Sequence, residues 1–327
     1  GSDLNAIELD EEGYTRFPGR LKLPVVLGHE YSGEVVEVGA DVKSVRKGDL
    51  ISVEQTLWCG KCRACRMSRF NQCENIYEDG LSKNGGFEEY ALVNEKFCCN
   101  INGLAEKLGD KLAALEAGAL VEPTAVAYNG MFINAGGFQP GGHVVVFGVG
   151  PIGLAAIALA RATGAACIIA FGTTESRMKL AKKMGADVVF NPRHLAKDGG
   201  ASPWELVMEY TRGIGAAMFV EATGNTKTTY PEIEKCMAIG AKIVQVGMEA
   251  GRTSVDWMPF IFNFGQVYGT GSHGGSEIFP SVIRMMEHGA IDMRRMVSAR
   301  YPLDRINEAF DAQRTKQHGK ILVSQHY

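Results

Sequence analysis

A chain of 327 residues, 46% hydrophobic and 22% charged, is long enough for two domains with separate cores and too long to be a disulfide miniprotein. Its 34 Lys and Arg against 37 Asp and Glu give a net charge of −3, which leaves no electrostatic footprint for nucleic acid. The apolar stretch 144 to 160 is too short to span a bilayer and is broken by Gly148, Gly150, Pro151 and Gly153, so no membrane span is expected.

The chain opens Gly-Ser-Asp, with neither an initiating Met nor a signal segment, and upstream residues are expected to be missing from it. Residues 25 to 100 read as short β runs divided by glycine: Glu34 to Val38 alternates, and Gly48-Asp49 turns into Leu50 to Val53. Within this β region Cys59, Cys62, Cys65 and Cys73 place four soft ligands in 15 residues. Gly60 and the basic residues between them suit a loop folded around a tetrahedral ion, and four thiolates leave no open position for chemistry. A structural zinc is expected, because an iron–sulfur run needs a fourth cysteine sooner. Cys98, Cys99, Cys167 and Cys236 read as small buried hydrophobes. Crowded thiolates of this kind belong to a reducing compartment, so a cytoplasmic protein is expected.

After Leu112 the apolar spacing turns helical, and from His143 to about Gly271 strands alternate with helices, the pattern of a doubly wound α/β domain. Strands are predicted at Val144 to Phe147, Cys167 to Ala170, Val188 to Phe190, Ala217 to Val220 and Ile243 to Val246, with helices at Ile152 to Thr163 and Ser176 to Met184. The tail, with Leu303 to Thr315 and Lys320 to Ser324, reads as a helix and a strand returning to the first domain. The boundaries expected are 1–123 with 289–327 for the first domain and 124–288 for the second.

The first of these strands runs into Gly148-Val149-Gly150-Pro151-Ile152-Gly153 and an alanine-rich helix. In that context Gly148 permits the tight turn, Gly150 lets backbone approach a pyrophosphate at the positive helix end, and Gly153 brings helix and strand together. At the next strand's tip, where a carboxylate commonly holds the ribose of NAD, the sequence has Gly172-Thr173-Thr174, with Arg177 close behind. A glycine there removes repulsion toward a 2′-phosphate that Thr173, Thr174 and Arg177 could bind, so NADP(H) is expected over NAD(H), with Glu175 as the opposing feature.

His29-Glu30 before a strand, the cysteine cluster, Glu122-Pro123 and the glycine turn follow one another in an order that resembles the zinc-dependent medium-chain dehydrogenase/reductase family across almost the whole chain. The resemblance implies a GroES-like β-barrel catalytic domain joined to a Rossmann domain. It implies His29 as a ligand of a catalytic zinc, Glu30 as a direct or alternating ligand, and Glu122 as a ligand or the holder of metal-bound water. Glu122 is similar to the polyol and threonine branch. The opening residues resemble the family's Cys-Gly-Ser/Thr-Asp-x-His run, which implies a zinc-ligating cysteine just before Gly1, Asp3 orienting the zinc histidine, and Ser2 carrying a proton. Asn5 stands where many relatives have histidine, so that proton needs another exit. Gly224-Asn225, Val246-Gly247 and Thr270-Gly271-Ser272 match positions that hold the nicotinamide half. Gln55, with Glu54 beside it, resembles a pocket position that is apolar for simple alcohols, and Tyr14 and Arg16 are further candidates for the pocket wall.

These readings imply an oxidoreductase moving a hydride between NADP(H) and a small-molecule secondary alcohol or ketone of a polyol, cyclitol or amino-polyol, working as a homodimer or homotetramer. An NAD-dependent threonine dehydrogenase-like enzyme and a non-catalytic NADPH-binding homologue with one zinc are the alternatives.

Overall fold

The computed structural model describes residues 1–197, 199–248 and 251–327, and the chain divides into two units: Gly1–Ala125 with Ser272–Lys316 and Ile321–Tyr327, and Val126–Gly271 with Gln317–Lys320. In the first unit β1 (Ser32–Glu34), β2 (Leu50–Val53) and, after a small hairpin of β3 (Thr56–Leu57) and β4 (Tyr77–Glu78), β5 (Cys98–Asn100) supply the strands. They form an antiparallel sheet in the order β1-β2-β5, with Gly33 opposite Ile51 and Ser52 opposite Cys99. Val35, Ile51 and Val53 make a small core there, backed by Tyr31, Val45 and Val93.

The strand expected through Val38 ends at Glu34. Val35 still exchanges backbone bonds with Asp49 and Gly48 at 2.9 and 2.7 Å. Gly48, at φ +93, then turns the partner chain away, so Val36 and Val38 have nothing to pair with and are exposed. The helix Lys111–Ala119 starts where Asp110 Oδ1 accepts from the backbone N–H groups of Leu112 and Ala113 at 2.8 and 3.3 Å. The next helix, Val121–Tyr128, carries Glu122 in its first turn.

The second unit holds six parallel strands, β6 (His143–Phe147), β7 (Cys167–Phe171), β8 (Val188–Phe190), β9 (Ala216–Glu221), β10 (Met237–Gln245) and β11 (Gln266–Gly269). Their order, β11-β10-β9-β6-β7-β8, reverses between β6 and β9, the switch point at which doubly wound sheets bind ligands. Val144, Val145 and Val146 are fully buried, as strands covered on both faces require. The helix Pro151–Ala162 buries eight residues, Gly153 through Ala160. β11 was not anticipated, because Gln266, Val267 and Gly269 are exposed on an edge and form no apolar run.

The chain leaves the second unit after Gly271, earlier than the boundary at 288 expected from the sequence, since the helix Ile278–Glu287 packs on Asn102–Leu108 of the first unit. β12 (Val297–Pro302) and β13 (Lys320–Ser324) then pair with each other. Among the described residues no helix is long and apolar enough to cross a membrane.

Candidate active site

The glycine turn after β6 behaves as its sequence implies. Gly148 has φ +97, and a Cβ on Gly153 would lie 1.8 Å from the Gly148 carbonyl oxygen, so only glycine lets the helix sit this close. Nothing lies within 4 Å of the corresponding point on Gly150, which starts the helix Pro151–Ala162 with no side chain capping it. Pro151 takes the position that needs no N–H, and of the donors after it the Leu154 N–H bonds the Gly150 carbonyl at 2.8 Å. An open cradle at a positive helix end fits a pyrophosphate.

At the tip of β7, a Cβ on Gly172 would lie 2.2 Å from Val149 Cγ2. Thr173 is exposed, and Thr174 precedes the helix Glu175–Met184 without capping it. Arg177 is half-buried and its Nε donates to the His318 carbonyl at 2.7 Å, so part of its fork serves the protein itself, and burial lowers its pKa. Glu175 pairs with Lys179 at 2.9 Å, both exposed.

Sequence reasoning missed Glu221, the fully buried last residue of β9. Its carboxylate accepts from the Thr223 N–H and hydroxyl, from the Gly224 N–H at 3.2 Å and from Gln245 Nε2 at 2.9 Å, while its carbonyl accepts from Val246 and Gly247 N–H. Gly224 and Gly247 are thereby held together, and a Cβ on Gly247 would lie 2.3 Å from the Gly224 nitrogen. The Thr270 hydroxyl accepts from Asn134 Nδ2 at 3.1 Å, next to Gly271. Ser272 belongs to the first unit, its hydroxyl 3.2 Å from that of Thr56.

Cys59, Cys62, Cys65 and Cys73 bring four sulfurs within 4.8 Å of one another, and every cysteine of the chain is free. The Cys62 and Cys73 sulfurs are 3.9 Å apart, far beyond a disulfide and close to the ~3.8 Å edge of a tetrahedron with ~2.3 Å zinc–sulfur bonds. Backbone N–H groups of Lys61 and Cys62 point at the Cys59 sulfur and hold its pKa down to about 6, whereas burial pushes Cys65 up to about 12. Such a mixed set is best satisfied by an ion that takes all four as thiolates.

The second cluster is His29, Glu30 and Glu122, whose ligand atoms also lie within 4.8 Å of one another. Gly28, at φ +94, is where the chain bends to aim His29 inward: a Cβ there would lie 2.9 Å from the Phe87 backbone nitrogen. Asp3 Oδ1 is 3.0 Å from His29 Nδ1 and accepts from the Gly28 N–H at 3.2 Å. This contact keeps the proton on Nδ1 and leaves the Nε2 lone pair, 3.7 Å from Glu30 Oε1, for a metal. Glu122 Oε1 accepts from Gln55 Nε2 at 2.8 Å and lies 3.2 Å from His273 Nε2. One neutral imidazole and two carboxylates form a donor set suited to a divalent ion such as zinc.

Around this cluster the wall is polar and buried. Glu54, Gln55, Thr56 and His273 are each at most 7% exposed. Burial raises the pKa of Glu78 above the usual carboxylate range, against a smaller lowering by His29. Gln55 Oε1 and His273 Nδ1 are buried without a hydrogen-bond partner among the described residues. His273, like Glu221, was missed; a histidine set among glycines and serines was its only sequence signal. Ser2 begins the short helix that carries Asp3. Tyr14 and Arg16 are exposed, with Arg16 lying 3.7 Å from Glu8.

Two family models match the chain: "Alcohol dehydrogenase GroES-like domain" over residues 1–103 and "Zinc-binding dehydrogenase" over 151–288. Scyllo-inosose 3-dehydrogenase of Thermotoga maritima is 38% identical over 94% of this chain and 78% of that enzyme. L-threonine 3-dehydrogenase of Thermococcus kodakarensis is 33% identical over 100% of this chain and 87% of its own. A solved structure of a putative alcohol dehydrogenase from Thermotoga maritima superposes with a TM-score of 0.93 at 36% identity, covering 98% of this chain and 82% of that one.

Proposed function

The chain belongs to the zinc-dependent medium-chain dehydrogenase family and is a dehydrogenase, and from that premise we propose that it moves a hydride between NADP(H) and a secondary alcohol bearing several hydroxyl groups. His29, Glu30 and Glu122 would hold a zinc ion, which would supply Lewis acidity toward an alcohol or ketone oxygen, and a bound nicotinamide would supply hydride exchange. The four cysteines would hold a second, structural zinc.

The chain's own groups have separate tasks in this reading. Asp3 fixes His29 in the tautomer whose Nε2 binds metal. Gln55 holds one carboxylate oxygen of Glu122. Ser2 relays the substrate hydroxyl proton, its oxygen accepting that proton as its own passes on to the ribose hydroxyl of the bound cofactor. The turn Gly148 to Gly153 binds the pyrophosphate through backbone donors, and the loops at Gly224, Gly247 and Gly271 line the nicotinamide end.

The observation that carries the substrate class is the pair of buried acceptors without partners, Gln55 Oε1 and His273 Nδ1, on the two side chains that touch Glu122. Buried acceptors favour a ligand that brings its own donors, so a polyol or cyclitol satisfies them and a simple aliphatic alcohol does not. The similarity to the scyllo-inosose enzyme supports this reading. An amino-bearing alcohol of the threonine kind is the second reading, favoured by the Glu78 carboxylate near the same cluster and by similarity to the threonine enzymes.

Preference for NADP(H) is supported by the absence of a carboxylate at Gly172, and a homo-oligomer by the unpaired edge strand β11. The test is a panel of cyclitols, sugar alcohols, L-threonine and 2-propanol with each nicotinamide, together with zinc counting. Two zincs per chain and a kcat/KM for a cyclitol or sugar alcohol at least tenfold above that for 2-propanol are expected. One zinc and no turnover of any alcohol would leave a nucleotide-binding scaffold.

A further inference from the structure

We propose that His273 is a positioning residue for Glu122, set in place by the cysteine lobe through the loop 272–277; the proposal rests on the metal-site reading above. Among the described residues, the two hydrogen-bond contacts to the Glu122 carboxylate, from Gln55 at 2.8 Å and His273 at 3.2 Å, fall on Oε1 and none falls on Oε2. Two donors on one oxygen stop the carboxylate from rotating and leave the other oxygen to the ion. His273 itself is fully buried, its ring 4.9 Å from that of Phe279, so it has no solvent to turn toward.

The loop that carries His273 does not hold its shape by backbone preference. Ser272, Gly275, Ser276 and Glu277 have φ of 53, 55, 52 and 60°, and three of these four are not glycine. Such a run persists only where its surroundings fix it, and here they belong to the cysteine lobe. Gly274 and Gly275 lie against Phe70: a Cβ on Gly275 would be 2.5 Å from the Phe70 ring, and one on Gly274 would be 3.1 Å from the Asn71 nitrogen. Phe70 packs against Trp58 with ring centres 4.4 Å apart and planes tilted by 44°, and both flank the four cysteines. Glu54 Oε1 accepts from Trp58 Nε1 at 3.1 Å and from the Gly275 N–H at 2.6 Å, so one buried oxygen ties lobe to loop. The lobe thus acts on Glu122 by way of the loop and His273, without any cysteine in the reacting group.

The test is zinc affinity, read by competition with a chromophoric chelator on the full chain, with thermal unfolding as a control for folding. Wild type is expected to hold two zincs. His273→Leu is expected to weaken the second by about 10- to 100-fold while the cysteine-bound zinc is untouched. His273→Gln, which keeps a donor near the Nε2 position, is expected within a few-fold of wild type. Phe70→Ala is expected to weaken the second zinc with the lobe zinc retained. His273→Leu binding as tightly as wild type, or His273→Gln as weakly as His273→Leu, overturns the positioning role. An unchanged second site in Phe70→Ala overturns the part played by the lobe. Wild type holding one zinc defeats the metal-site reading instead.

Discussion

Gly172 gives one residue two physical reasons. Read from sequence, it is a missing carboxylate and hence room for a 2′-phosphate. In the structure it is a steric need, because a Cβ there would lie 2.2 Å from Val149 Cγ2, inside the turn expected to take the pyrophosphate. A single Gly172→Asp exchange therefore confounds the two, losing about 1–3 kcal/mol to overpacking. Combined with Val149→Ala the overlap is relieved and the added carboxylate acts alone. That double variant is expected to move the ratio of kcat/KM for NAD over NADP up by about tenfold or more, measured by initial rates with both nicotinamides; an unchanged ratio would show that the tip of β7 does not select the coenzyme. His29, Glu30, Glu122, the four cysteines and the glycine turn were legible because each sits in a short motif whose chemistry is local. His273 and Glu221 were not. His273 takes its meaning from a carboxylate 151 positions away, and Glu221 from donors on a neighbouring strand.

At the scale of elements, the parallel strands β6 to β10 announced themselves as apolar runs because both faces are covered, and in the first unit Leu50 to Val53 was legible as well, whereas the short pair β3 and β4 and the edge strand β11 were not. What fastens the first unit's returning tail was also invisible in sequence. Arg300 on β12 grips Glu116 of the helix Lys111–Ala119 with two bonds of 2.5 and 2.7 Å, and the Tyr327 hydroxyl donates to the same carboxylate at 2.8 Å. The Arg300 bonds hold the Glu116 carboxyl below its usual pKa, outweighing the opposing effect of burial. A carboxylate with a lowered folded-state pKa stabilises the protein at neutral pH, and that contribution is lost as pH falls through the folded value. Glu116→Gln is expected to cost about 1–3 kcal/mol at pH 7, read from urea midpoints. The gap to wild type is expected to narrow as the pH is taken below the ordinary glutamate range. A gap that stayed constant with pH would mean that the side chain acts through packing and not through charge.

At the scale of the molecule, β11 and β8 are the two open edges of the six-stranded sheet among the described residues, and β11 has only β10 beside it. An open edge with apolar side chains is ordinarily covered or blunted. Here Val267 on β11 is 45% exposed, and the segment leading into it bears Trp257, Ile261, Phe262 and Phe264 at 62 to 72% exposure. No lysine or proline interrupts β11 itself. Polar solvation does not account for four large apolar side chains next to free backbone donors and acceptors, whereas a second copy laid edge to edge satisfies both at once. Self-pairing is preferred to a foreign partner because a two-fold axis at the edge brings the same apolar residues and the same unpaired strand to both sides. The expected outcome is a dimer or a multiple of it in light scattering at micromolar concentration. Val267→Lys with Phe262→Lys is expected to yield monomers, because each dimer would then place like charges along the same seam. A wild-type chain that stays monomeric, or a double variant that still pairs, would assign this surface to something other than a second copy.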